Sequence, residues 1–197
     1  MLLYDSRVSG NCYKVRLLLA QLGLDYERRE LDVVDRSNRK EVLGDLNPGL
    51  RVPTLVLDDG RSLGESGAIL SYLADGTALV PEDPYERAQV LQWMFFEQYS
   101  HEPYVAVARF WLTKGVEVDP ETLAERQRVG YLAFDAMEGH LAGREYLAAE
   151  RYSIADIALY AYTHVADEGG FHLAAYPAIR TWLGRVAAQP GHVPIDA

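Results

Sequence analysis

Two short stretches hold residue types that could do chemistry. The first is Ser9-Gly10-Asn11-Cys12, in the turn between an apolar strand (Leu2-Leu3-Tyr4) and a helix marked by Val15, Leu18, Leu19 and Leu22. Free N–H groups and the positive end of the dipole gather at such a helix start and stabilise a thiolate. Cys12 is the only cysteine, so an internal dithiol cycle is excluded, and with it a thioredoxin or disulfide isomerase. Ser9 is placed to donate a hydrogen bond to a thiolate brought in by a substrate. A free thiol has a pKa of about 8.5. Each unit of depression is worth roughly 1.4 kcal/mol of preference for the anion. One hydroxyl with the helix-end N–H groups can supply one or two units, so serine suffices without a metal or a general base. Asn11 lies close enough to act beside Ser9 or in its place. The plainer alternatives are helix caps at Ser9 and Asn11 and a packed small residue at Cys12.

The second stretch runs from Asn47 to Ile69. Pro53 opens an apolar, β-branched run, where a trans proline sits poorly because it cannot donate to a ladder. A cis Val52-Pro53 bond would resolve this and turn the Val52 N–H and C=O outward, toward an extended peptide. Asp59-Gly60 is a hairpin signal. Glu65-Ser66 then begins a helix, so a carboxylate, a hydroxyl and free N–H groups share one corner. That corner suits a ligand carrying both an ammonium and a carboxylate.

The elements that must position these residues follow a clear order. Strand, helix and strand (Tyr26 to Leu31) lead to a short exposed helix over Arg36 to Leu46, the hairpin, and a helix over Ser66 to Ala74. This is a mixed sheet with helices packed on it. Asp75 to Glu86, with Pro81 and Pro84, reads as a linker, and beyond it strand patterns disappear. Helices are expected over Arg87 to Ser100, Tyr104 to Leu112 after a break at Pro103, Pro120 to Leu141, and from Pro177. Ser153-Ile154-Ala155-Asp156 matches a capping box ahead of a helix apolar nearly all round, the buried centre of a bundle. The resulting division is residues 1–76, a linker over 77–86, and an all-helical domain over 87–197. Arg16 reads as a surface charge.

Composition narrows the function classes. The chain of 197 residues is 49% hydrophobic and 24% charged, ordinary for a soluble globular protein. Its net charge of −10 (19 − 29) disfavours nucleic acid and anionic membrane surfaces as partners. No apolar run suffices to span a bilayer, and the N-terminus lacks the pattern of a secretory signal. The lone cysteine fits a reducing compartment, so a cytoplasmic location is expected. The five histidines lack metal-ligand spacing, and no metal site is expected.

The four motifs together resemble the cytosolic glutathione S-transferases of the bacterial, serine-type, theta-, delta- and phi-like kind. They are Ser9 before Cys12-Tyr13-Lys14-Val15-Arg16, Asn47-Pro48-Gly49 leading to Val52-Pro53, Glu65-Ser66-Gly67-Ala68-Ile69, and Ser153-Ile154-Ala155-Asp156. The resemblance spans nearly the whole chain. It implies a two-domain α+β/α protein, a thioredoxin-like N-terminal domain followed by an all-α helical bundle, and a homodimer. It implies glutathione as co-substrate, with Ser9 activating its thiol. Val52 beside cis-Pro53 would bind the cysteinyl backbone, and Glu65 and Ser66 the γ-glutamyl ammonium and carboxylate. Many delta-like members carry a histidine where this chain has Leu50. The cations available to the glycyl carboxylate are therefore Arg51 and, more weakly, Arg39 and Lys40. An apolar electrophile is expected to meet the aromatics Phe95, Tyr99, Tyr104 and Phe110. The capping box would serve folding.

The expected activity is attack of the glutathione thiolate on an electrophilic carbon or an organic peroxide. Its rivals are a glutathione-dependent disulfide reductase or lyase, a non-catalytic binding protein of the same fold, and a thiol-transferase working through Cys12.

Overall fold

The computed structural model describes residues 1–197. The chain forms two compact units, Met1–Asp75 with Pro190–Ala197, and Gly76–Gln189.

The first unit is built on a four-stranded sheet in the order β2-β1-β3-β4. Its strands are β1 (Leu2–Asp5), β2 (Glu27–Glu30), β3 (Thr54–Val56) and β4 (Ser62–Leu63). β2 runs parallel to β1, with Leu3 opposite Arg28, while β3 is antiparallel to both β1 and β4. A parallel pair needs a crossover. Helix α1 (Gly10–Leu22) supplies it, starting on the Ser9 cap and ending where Gly23 takes φ 63°, a left-handed stop. Leu3 and Leu55 of the sheet pack with Val15 and Leu19 of α1 and with Ile69 of α3 (Ser66–Ala74). On the other face, Tyr4 and Leu31 pack with Leu43 of α2 (Arg39–Leu43), a shorter helix than the charge pattern suggests. All four residues of β2 are exposed and charged, and it lies at the rim of the sheet.

Arg16 is not a surface charge. It is 2% exposed, and its Nη1 donates to both carboxylate oxygens of buried Asp5, at 2.7 and 3.0 Å. The helical period aims it at the end of β1, where a carboxylate has left water and needs a partner. Pro190–Ala197 returns to this same unit, and Tyr13 donates from its hydroxyl to the Val193 carbonyl at 2.8 Å.

The second unit is all-helical: α4 (Pro84–Phe96), α5 (Glu102–Lys114), α6 (Pro120–Leu141), α7 (Ile154–Thr163) and α8 (Pro177–Ala187). The interruption expected at Pro103 falls slightly earlier, as a π-helical turn over Glu97–His101. Pro103 itself sits in the first turn of α5, where its missing N–H costs little. All ten residues of α7 are buried. Its capping box is complete, with Asp156 accepting from Ser153 N at 2.9 Å while Ser153 Oγ accepts from Ala155 N at 3.3 Å. The other Asp156 oxygen takes Leu147 N at 3.0 Å and Trp182 Nε1 at 2.8 Å, fastening α8 and the preceding loop onto α7. Glu138 of α6 caps the start of α8 by accepting from Ala178 N and Ile179 N. The two units therefore have the thioredoxin-like and all-α architectures expected. No helix is long and apolar enough to cross a membrane.

Candidate functional site

The β1–α1 turn sets the first part of the site. Ser9 N donates to Ser6 O at 3.0 Å, and Ser9 Oγ accepts from Cys12 N at 3.3 Å. Capping occupies a lone pair of the hydroxyl and leaves its hydrogen to donate. The helix cap and the thiolate donor are thus compatible roles of one side chain. Cys12 is fully buried, and its sulfur accepts from Ser6 N at 3.2 Å. Burial and the nearby Asp5 carboxylate push its thiol up, far from the range of a reactive thiolate. Cys12 is a packing residue, and a thiol-transferase working through it has no physical basis.

The Val52-Pro53 peptide is cis. The turn carrying it is knit by Asn47, a residue whose role the sequence did not reveal. Its amide nitrogen donates to Arg51 O at 3.1 Å and Thr54 Oγ1 at 2.9 Å, while its oxygen accepts from Gly49 N at 2.9 Å. A Cβ at Gly64 would lie 2.7 Å from that amide nitrogen, so the next segment must be glycine to pass. The Asn47-Pro48-Gly49 signature was the available signal.

Glu65 has φ 62° and ψ 117°, a conformation unfavourable for a residue with a Cβ. It is exposed, so its carboxylate is open to an incoming cation, whereas Ser66 is buried at the first position of α3. Ser66 Oγ donates to Asn11 Oδ1 at 3.4 Å, and the same oxygen accepts from Lys14 Nζ at 2.7 Å. That link places the starts of α1 and α3 side by side. Ser9 and Asn11 of the one turn and Glu65 and Ser66 of the other are therefore brought to neighbouring positions in the first unit.

The three candidate cations separate by exposure. Arg51 and Lys40 are exposed. Arg39 is enclosed, 4% exposed, with Nη2 donating to Asp32 O at 2.5 Å and neither Nε nor Nη1 meeting an acceptor. Burial lowers its pKa. The candidate aromatics lie in the helical unit and do not share one environment. Phe95 and Tyr99 are 69% and 84% exposed. Tyr104 faces the Arg126 guanidinium, 5.5 Å from its ring centroid, and that guanidinium also lies 5.2 Å from Trp111. Phe110 is on the margin of exposure. No group of three or more His, Cys, Asp or Glu side chains is arranged to hold a metal ion.

Both units are similar to known proteins. Residues 3–79 match the glutathione S-transferase N-terminal domain, and residues 92–190 the glutathione S-transferase C-terminal domain. The crystal structure of a glutathione S-transferase from Pseudomonas fluorescens Pf-5 is 51% identical, with a TM-score of 0.95 over 98% of each chain. One from Xanthobacter autotrophicus Py2 is 43% identical, with a TM-score of 0.93 over 98% of this chain and 96% of that one. The disulfide-bond oxidoreductase YfcG of Escherichia coli K12 is 29% identical, the match covering 91% of this chain and 87% of that protein. The chain belongs to the glutathione S-transferase family.

Proposed function

We propose that this protein binds glutathione in an extended pose on its first unit and activates the thiol for attack on an apolar electrophile or organic peroxide. The observation that carries the reading is the Ser66–Asn11 contact, which joins the thiol-activating turn to the corner built for an ammonium and a carboxylate. Ser9 donates to the sulfur and, with the α1 N–H groups, favours the thiolate. Asn11, beside it, helps hold the geometry. Val52, beside cis-Pro53, pairs with the cysteinyl backbone, and Glu65 and Ser66 receive the γ-glutamyl end. Among the cations, Arg51 is both exposed and next to Val52, so it takes the glycyl carboxylate, with Lys40 behind it. Enclosed Arg39 instead braces the loop at Asp32.

We further propose that the protein forms a homodimer and that the apolar electrophile meets Phe95, Tyr99, Tyr104 and Phe110, of which Phe95 and Tyr99 are the most exposed. Ser9→Ala tests the activity. The variant is expected to lose about 10- to 100-fold in kcat at neutral pH and to raise the bound thiol's pKa by one to two units, with the affinity for S-methylglutathione unchanged. Equal activity of variant and wild type across the pH range would remove Ser9 from the mechanism.

Glutathione-dependent disulfide reduction is the second reading, favoured by the relative named as a disulfide-bond oxidoreductase. It needs the same thiolate, so turnover of a mixed disulfide with none of aromatic halides would select it.

A further inference from the structure

Arg16 has no place in the chemistry outlined above, yet it is buried and reaches the turn that carries Ser9. Its Nη1 is shared between Asp5 and the Ser6 carbonyl, the latter at 3.3 Å. That carbonyl is also the acceptor of the Ser9 N–H. Its Nη2 donates to the Arg7 carbonyl at 3.1 Å and to the Ile195 carbonyl at 2.5 Å. One guanidinium thus grips the end of β1, two consecutive carbonyls of the turn, and the returning segment.

The returning segment is held beyond this grip as well. Arg7 Nε donates to Asp196 O at 2.6 Å, and the Arg7 backbone N–H donates to Glu30 at 2.6 Å. Arg28, which also pairs with Asp5, donates to Ala197 O at 2.9 Å. The charged and titratable groups around the turn include Asp5, Arg7, Cys12, Tyr13, Arg16, Tyr26, Arg28 and Glu30, and main-chain oxygens of residues 195–197 complete the arginines' coordination. Planar, five-donor arginine can make these contacts at once, which a lysine ammonium cannot.

We propose that Arg16 is a positioning residue for Ser9 and that Pro190–Ala197 is a strap completing its grip. The strap fixes where the Ser9 hydroxyl stands relative to the substrate sulfur. This rests on the assignment of Ser9 as the thiolate donor. A misplaced hydroxyl weakens stabilisation of the anion while leaving the tripeptide's frame contacts alone. A residue serving folding alone would lower stability without moving the thiol's pKa.

The test uses two variants of the full protein, Arg16→Lys and a deletion of residues 194–197, with Ser9→Ala as reference. The thiolate absorbance of bound glutathione is titrated, and S-methylglutathione, which lacks the acidic thiol, reports the frame. Both variants are expected to raise the thiol pKa by about half a unit to one unit, with kcat at neutral pH down about 3- to 10-fold and S-methylglutathione affinity within about twofold of wild type. Should Arg16→Lys not fold, the deletion carries the result, since it takes away the acceptors of residues 195–197 and leaves Arg16 itself in place. A thiol pKa unmoved in the variants while Ser9→Ala shifts it overturns the inference and leaves the Ser9 assignment standing. Loss of S-methylglutathione binding in step with activity also overturns it, making Arg16 a folding residue. No shift in Ser9→Ala itself overturns the assignment on which the inference rests.

Discussion

Replacing Asp156 by alanine should be among the most damaging single changes to the helical unit. The carboxylate is fully buried and accepts from Leu147 N, Trp182 Nε1 and both the N–H and hydroxyl of Ser153. Alanine strands the two backbone N–H groups and the indole N–H in a site closed to water. At about 1–3 kcal/mol for each buried unsatisfied donor, with some relaxation, the expected loss is about 3–5 kcal/mol. Against a total stability of about 5–15 kcal/mol this is a large share. Asp156→Asn keeps an oxygen for Leu147 and Trp182 and misplaces only the contact to Ser153 N, so about 1–2 kcal/mol is expected.

Urea unfolding of the three proteins, compared at constant m, reads these differences. Burial pushes Asp156 up from 3.8 to about 6, against the pull of its hydrogen bonds. The folded chain then holds this proton more tightly than the unfolded chain. The group's pH-linked contribution is fully present below about pH 4 and is lost as the pH rises through about 6. The stability gap between wild type and Asp156→Asn should accordingly be wider near pH 4 than near pH 7. A gap that does not change across that window, or an alanine variant within about 1 kcal/mol of wild type, would refute the reasoning.

Further outcomes follow from other parts of the molecule. Arg51→Ala should raise KM for glutathione about 10-fold with kcat nearly unchanged, because a charge-assisted bond to the glycyl carboxylate is worth roughly 1.5 kcal/mol in ground and transition states alike. An unchanged KM would pass that contact to Lys40. Cys12 should resist iodoacetamide in the native protein and react promptly in urea, and Cys12→Ala should keep most of the activity; rapid native labelling would contradict its burial. Gly130→Ala should cost about 1–3 kcal/mol in urea unfolding, since a Cβ there would sit 2.6 Å from the Phe171 ring. A neutral result would mean that the ring can turn aside.

What the sequence made legible was local. Ser9 as a cap, the turn at Pro53, the Asp59-Gly60 hairpin and the Ser153–Asp156 box each depend on residues a few positions apart, so their side chains announce them. The return of Pro190–Ala197 was hidden for the opposite reason. Its anchors are backbone carbonyls, which any residue possesses, and they meet arginines nearly 180 positions away. Arg16 was misjudged for the same cause, since its burial is decided by Asp5 and by that distant segment rather than by its own neighbours. Asn47 was visible as part of a motif, but only the folded turn reveals that one amide group serves three partners. The π-helical turn over Glu97–His101 has no compositional mark beyond the proline that follows it.

The shape of the sheet bears on which molecules can join it. One rim, β2, offers four charged side chains to any approaching chain, and the other, β4, is only two residues long. Neither gives a polypeptide a rail along which to zip, a standard defence against aggregation. Under the proposed binding of glutathione, the Val52 N–H and C=O would pair with the backbone of a single ligand residue, and a protein strand would find no ladder on either rim along which to continue.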